Sequence, residues 1–364
     1  MTQPIKSRWP AIFALFLCGC TVALHIGKIP PALPEIRQYW RLSLTEAGVI
    51  VSLYAVLIAL TGVAAGWYVK RAGYARFAII GVGLIGLASI LGAKSTHFEG
   101  LLISRVAEGF GWVLTAIAMP TLLSQLSNER DRPLVMGIWG AFVPLGAGLA
   151  LLLSPGLQSA ASWRLPWHTY GVISLLAAAI ILLITRHCRV GAKPHIAAET
   201  TFPMADLLQS RLWTISVSFF IYSFLFSAVT SFLPTLAIET SNLSLQSSSY
   251  LVAMVVMSNV LGNVSAGIAL RSGYRAADLL LTGALCMGIS SWLLFNEMLP
   301  LWLRVVSAFV FAIAGGLVPG TCFAVLPRLS VNQSNIGLMT GFMLQWIGLG
   351  QLIGPFAAAA AVDY

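Results

Sequence analysis

The sequence predicts an all-α membrane protein, a bundle of eleven spanning helices arranged as two repeated halves. Three observations predict it. Hydrophobic residues make up 58% of the chain and charged residues 9%, with a mean hydropathy of +0.87. An ordinary soluble domain is about 25% charged. Apolar runs near the ~20 residues needed to cross a bilayer follow one another along the chain. The third observation is a repeat. Arg71-Ala72-Gly73-Tyr74 returns as Arg271-Ser272-Gly273-Tyr274, and Arg105-Val106 with Pro120 returns as Arg304-Val305 with Pro319.

The spans are expected at 9–31, 45–69, 76–93, 99–124, 134–155, 166–185, 211–238, 248–270, 276–296, 299–325 and 336–361. None alternates as a barrel strand would, so each is read as a helix. The first follows Lys6 and Arg8 and contains Leu17-Cys18-Gly19-Cys20, which loosely resembles a lipoprotein cleavage box. Its apolar run continues to Ile29, long enough to span rather than be removed. Span 2 ends in Gly66-x-x-x-Lys70-Arg71-x-Gly73-Tyr74, and span 3 starts directly after it. Span 4 carries Arg105 and Glu108, and span 5 is rich in glycine. After span 6 comes the one long polar segment, 186–210, expected to be a linker between a first half (1–185) and a second half (211–364). Spans 7 to 11 then repeat spans 1 to 5. The offset near 200 puts the partner of span 6 at about 367–385, past Tyr364, so the copy is expected to lack its twelfth helix. Glycine and proline inside the spans suit close helix packing and bends.

The formal net charge of +9 could suggest a polyanion partner, but its placement is a topology signal. With the N-terminus in the cytoplasm, fourteen Lys and Arg fall in cytoplasmic segments and five in outer segments. That asymmetry is the positive-inside rule. It places the chain in the plasma membrane (the inner one of a bacterium) with multiple passes and no nucleic-acid partner. Cys18, Cys20, Cys188, Cys286 and Cys322 are odd in number and scattered, so neither a disulfide framework nor a metal site is expected. There is no His-Glu-x-x-His, Walker loop or Gly-x-Ser-x-Gly, so no catalytic residues and no cofactor are expected, and the chain is not read as an enzyme.

Four motifs in order carry a family resemblance: the Gly66–Arg76 loop, its copy Gly267-x-x-x-Arg271-x-Gly273-Tyr274-Arg275, Arg105-x-x-x-Gly109-x-Gly111 in span 4, and Gly137-x-x-Gly140-x-x-x-Pro144-x-Gly146-x-Gly148 in span 5. Together they resemble the major facilitator superfamily across the whole chain. The opening Gly27–Ile36 and Gly137-Ile138-Trp139-Gly140 resemble its cyanate, nitroimidazole and nitrate transporter-like branch. The resemblance implies a secondary transporter that rocks two halves about a midplane site. It also implies a small anion or small polar molecule as substrate, a monomer, and Gly66, Arg71, Gly73, Arg271 and Gly273 as gating-loop residues. The family loop usually carries an Asp where this chain has Lys70, and that Asp helps latch the cytoplasmic ends, so the latch here must differ or be weaker. Two alternatives stay open. One is an exporter of drugs or metabolites, and the other is a membrane sensor that kept the fold but lost transport.

Ionisable residues inside a span are candidates for function because each costs at least ~2.5–3.5 kcal/mol to insert. His25 and Lys28 lie one turn apart on span 1. A cation beside a titratable imidazole suits an anion with proton coupling. Alternatively Lys28 snorkels to headgroups and His25 is a packing residue. Arg105 and Glu108, also one turn apart, form either a pair that breaks and reforms or a static one. Arg304 has no acid at the matching place, so it meets substrate, meets a backbone carbonyl or snorkels outward. Tyr54, Trp139, Tyr222, Asn259, Asn263, Gln345, Trp346 and Gln351 form a second tier, either substrate contacts or helix glue and headgroup anchors.

Overall fold

A computed structural model describes residues 6–191, 204–241, 245–329 and 335–362. Among them every regular element is helical, and eleven spans are long and apolar enough to cross a membrane. Span 1 comprises α1 (Trp9–Gly27) and α2 (Ile29–Trp40). Spans 2 to 4 are α3 (Leu44–Ala72), α4 (Tyr74–Ala93) and α5 (Phe98–Leu126). Span 5 comprises α6 (Arg132–Gly140) and α7 (Phe142–Ala160), and span 6 is α8 (Arg164–Cys188). After a short α9 (Met204–Leu207), spans 7 to 11 are α10 (Ser210–Ser241), α11 (Leu245–Arg271), α12 (Ala276–Phe295), α13 (Leu301–Leu329) and α14 (Ile336–Val362).

Local chemistry explains the breaks. Span 1 is interrupted at Lys28, ahead of Pro30 and Pro31, which have no N–H to return to the preceding turn. Span 1 therefore runs to Trp40, well past the expected end at 31. Span 5 is interrupted at Ala141, three residues before Pro144. Ser43 starts α3 with a reciprocal capping box: its hydroxyl accepts from the Glu46 N–H, and its own N–H donates to the Glu46 carboxylate at 2.8 Å. Gly73 (φ 101°) and Gly273 (φ 95°) turn the chain at equivalent loops, in a backbone region that suits glycine. The expected linker 186–210 is partly helical at both ends, and its residues 192–203 lie outside the described residues. Tyr364 lies outside them too.

Polarity is inverted relative to a soluble protein. Leu60, Ile103, Leu183 and Trp292 face outward, while Lys28, Arg105, Glu108 and Asn259 are buried. Apolar surface costs nothing against lipid tails, whereas a charge there does.

Spans 1–6 and spans 7–11 meet chiefly through two seams, span 2 against span 11 with span 4 alongside, and span 5 against span 8 with span 10 alongside. Glycine permits both. A Cβ on Gly66 would sit 2.7 Å from the Gly337 carbonyl oxygen, and one on Gly137 would sit 2.7 Å from the Gly267 Cα. Gln345 Nε2 ties the first seam by donating to the Ala59 carbonyl at 2.8 Å. Spans 1 and 7 share no comparable interface among the described residues. The bundle is thus closed at the end that carries the Arg71 and Arg271 loops.

At that end Lys70 is buried and Arg71 lies 4.1 Å over the Trp67 ring. A cross-bundle ion pair stands elsewhere, with Arg271 Nη2 2.8 Å from Asp131 Oδ1. Ser7 donates to the other oxygen of Asp131 at 2.7 Å. The expectation of a different latch therefore has a physical counterpart, with the carboxylate on the loop between spans 4 and 5.

Candidate functional site

Five of the sequence candidates converge inside spans 1–6. The span 1 break leaves His25 on the last turn of α1 and Lys28 at the junction, both turned into the bundle and buried. Arg105 and Glu108 come from span 4 on one helical face, because residues three apart lie on neighbouring turns. Tyr54 comes from span 2 and sets its ring edge-on to Trp112 at 4.9 Å.

The Lys28 ammonium is enclosed, with 0% exposure, and all three of its protons are used. Nζ donates to Glu108 Oε1 at 2.8 Å, to Ser89 Oγ at 2.7 Å and to His25 Nδ1 at 2.9 Å. It also lies 4.3 Å over the Trp167 ring. Because an ammonium can only donate, His25 Nδ1 accepts, and the ring proton sits on Nε2, which donates to Ser174 Oγ at 2.9 Å. Ser89 passes its own proton to the Trp167 carbonyl at 2.8 Å. Arg105 Nη1 donates to the second oxygen of Glu108 and to the His25 carbonyl at 3.3 Å.

The charge balance follows. With Lys28 and Arg105 both charged, two cations share one carboxylate, so the cluster carries one excess positive charge with His25 neutral. A small recess adjoins it, lined by Val22, His25, Tyr54, Arg105, Glu108 and Trp112 among others. Three buried donors at this recess have no acceptor among the described residues: Arg105 Nε, Tyr54 Oη and Trp112 Nε1.

Snorkelling of Lys28 is not observed, because its carboxylate and serine partners hold it inside the bundle. Snorkelling of Arg304 is not observed either. It is 6% exposed, and Nε donates to the Leu294 carbonyl at 2.9 Å. The remaining candidates lie apart from the cluster. Asn263 Nδ2 donates to Asn259 Oδ1 at 2.8 Å, and Asn259 Nδ2 donates to the Ala312 carbonyl at 2.8 Å and to Tyr222 Oη at 3.2 Å. These amides tie spans 7, 8 and 10. Gln345 ties spans 11 and 2, and Trp346 packs edge-on to Trp213 at 5.4 Å. Trp139 stacks on Phe142 at 4.1 Å, and Phe142 reaches Trp112 at 6.2 Å, so Trp139 touches the cluster only through that aromatic bridge. Gly66, Gly73 and Gly273 sit at the seam and loop positions described above.

Sequence reasoning missed Ser89, Ser174, Trp112 and Trp167. Trp112 was within reach, one turn after Glu108 on the same face. The two serines were not, since serine in an apolar span is too common to single out.

Among the described residues no group of His, Cys, Asp and Glu could hold a metal ion.

Comparison with known proteins follows the same lines. Residues 13–355 match the Major Facilitator Superfamily. The chain is 26% identical to a cyanate transport protein of Escherichia coli (strain K12), over 95% of this chain and 87% of that one. It is 24% identical to a hexuronate transporter of Bacillus subtilis (strain 168), over 98% and 89%. The fold is similar to that of a human organic anion transporter, with TM-score 0.75, 16% identity and coverage of 96% and 93%. It is also similar to a bacterial homologue of the human lysosomal transporter Spinster in an inward-facing, unoccupied form, with TM-score 0.67, 17% identity and coverage of 100% and 84%. The match over residues 13–355, on eleven apolar helices with this seam arrangement, identifies the chain as a member of the Major Facilitator Superfamily.

Proposed function

We propose that this protein is a secondary transporter that imports a small anion by alternating access, coupled to protons. The observation that carries the reading is the excess positive charge of the Lys28–Arg105–Glu108 cluster beside a small recess with three unfilled donors. A buried charge in a low-dielectric interior costs several kcal/mol unless compensated. A bound anion supplies the missing compensation, and a neutral solute does not. The similarity to a cyanate transport protein favours the same solute class.

In this reading the N-terminus is cytoplasmic, as the charge asymmetry of the loops indicates. The closed end with Arg71 and Arg271 is then the cytoplasmic one, and the separation of spans 1 and 7 opens the molecule outward. Chain 1–185 acts as one rocking half and chain 211–364 as the other, joined by the 186–210 linker. The anion enters from outside and is held by Arg105, Tyr54 and Trp112. It competes with Glu108 for the Arg105 guanidinium. Glu108 keeps its bond to Lys28, so it is never left unpaired. Protonation of His25 adds a second positive charge against the incoming negative one. Closure outside and parting of the span 2–11 and 5–8 seams then release both to the cytoplasm. Energy comes from the ion gradient. The protein works as a monomer within the lipid bilayer.

The test is uptake of labelled cyanate into proteoliposomes holding the purified full chain under an inward proton gradient. Accumulation that collapses with a protonophore is expected. Binding without accumulation would mean a sensor and overturn the proposal.

A further inference from the structure

We propose that Arg304 heads a second anion site, in spans 7–10, which takes a single negative headgroup on an apolar body, such as a medium-chain monocarboxylate. A cleft open at one side is lined, among the described residues, by Arg304 and otherwise by aliphatic side chains, including Leu233, Leu251, Leu294, Leu301 and Ala308. Arg304 is 6% exposed, one of its nitrogens is bonded to the Leu294 carbonyl, and Nη2 has no acceptor among the described residues.

The repeat shows why this guanidinium lacks a counter-charge among the described residues. The recess is built from spans 7, 8, 9 and 10, the equivalents of spans 1, 2, 3 and 4 that build the recess at Arg105. Arg304 is the copy of Arg105. At the offset of 200 that matches Leu33-Pro34 with Leu233-Pro234, Leu225 and Ala228 replace His25 and Lys28. At the offset of 199 that matches the arginines, Ser307 replaces Glu108. The second copy has therefore kept the arginine and lost the carboxylate that neutralises it in the first. No ion pair to Arg304 forms among the described residues. A lone buried guanidinium is costly, and an anion from outside relieves that cost. One cation selects one negative charge. The described walls, aliphatic apart from Arg304, select an apolar body, because a polar one would lose its hydration without replacement. The headgroup can arrive free or as part of an anionic lipid.

The site is separate from the Lys28–Glu108 cluster, so its failure and the failure of the transport reading are distinguishable. The test is titration calorimetry of octanoate, with octanol as the uncharged control, on the full chain in phosphatidylcholine nanodiscs. Wild type is expected to bind octanoate at least tenfold tighter than Arg304→Gln, with Arg304→Lys close to wild type and octanol indifferent to all three. Should Arg304→Gln not fold, Leu301→Trp at the half-exposed rim carries the decision by blocking octanoate about tenfold. Equal octanoate binding by wild type and Arg304→Gln, or by wild type and Leu301→Trp, overturns the site. So does octanol binding as tightly as octanoate. Repeating the titration in phosphatidylglycerol nanodiscs separates the sources within the supported outcome. Weakened octanoate binding there assigns the site to a lipid headgroup, and unchanged binding assigns it to a free carboxylate.

Discussion

Lys28 of span 1 and Glu108 of span 4 form a 2.8 Å ion pair that is enclosed on every side, with side-chain exposures of 0% and 2%. Arg105 takes the other oxygen of the same carboxylate. A pair this deep makes the two residues interdependent. Removing Glu108 leaves two buried cations uncompensated, whereas removing Lys28 leaves Glu108 paired with Arg105 and cancels the excess charge.

Glu108→Gln is expected to abolish cyanate uptake and to destabilise the protein by roughly 3–5 kcal/mol, as for other broken buried pairs. The double variant Lys28→Met/Glu108→Gln, which leaves Arg105 as the one uncompensated cation of the cluster, should recover part of the stability and none of the uptake. Thermal unfolding in detergent beside proteoliposome uptake checks both halves of the statement. A double variant no more stable than the single one would show that the pair is not the coupled unit.

In the proposed cycle His25 gives the transport a pH dependence. Lys28 at 2.9 Å and Arg105 through the backbone carbonyl oppose its protonation, while Glu108 at 3.8 Å favours it. Ser174 and the Tyr170 ring are neutral neighbours. A bound anion tips this balance toward the imidazolium, so by linkage anion affinity rises as pH falls. His25→Gln, which retains polar atoms for Lys28 and Ser174, should keep uptake measurable but flatten its pH profile. An unaltered slope would remove His25 from coupling.

Asp131→Asn should loosen the closed end. Arg271 is partly exposed, so the pair contributes about 0.2–1 kcal/mol and shifts the open-to-closed ratio at most about fivefold. Distance measurements between spin labels on the loops after spans 2 and 8 would register the shift. The exchanged pair Asp131→Arg/Arg271→Asp should restore the wild-type distribution. Failure to do so would assign the residues a role other than their mutual attraction.

Gly341→Val should force span 11 away from span 2, since even a Cβ there would run into the Gly62 carbonyl. The expected outcome is a folded protein that cannot close this seam and transports at least tenfold more slowly. Uptake close to wild type would mean the seam has slack that the packing does not show.

Orientation is checked by cysteine labelling after the five native cysteines are replaced by alanine. Ser95→Cys, on the loop between spans 3 and 4, should react with an impermeant maleimide on whole cells. Ser272→Cys should react only after the membrane is opened. The reverse pattern would invert the proposed direction of the molecule.

Much of the architecture was legible beforehand because the bilayer imposes it. A spanning helix has to satisfy its own backbone hydrogen bonds, so length and hydropathy alone mark each span. The Arg71 and Arg271 loops revealed the duplication because glycine at Gly73 and Gly273 answers to a backbone angle, a local requirement that survives in sequence. The break at Lys28 was less visible. Pro30 and Pro31 mark it, yet the chain continues as helix to Trp40. Arg105 and Glu108 could be paired from spacing, since three residues apart on a helix fixes their neighbourhood.

The sequence by itself determined the membrane class, the repeat, the eleven spans and the short list of intramembrane charges. Each follows from solvent, local geometry or helical periodicity. Only the tertiary structure decided that Lys28 turns inward to Glu108, that Ser89 and Ser174 complete the cluster, that Asn259 and Gln345 join helices, and that Arg304 faces a recess with no carboxylate among the described residues. Those outcomes depend on how the helices rotate and pack against one another. No single helix encodes that rotation, because it is set by glycines and side chains on neighbours many residues away.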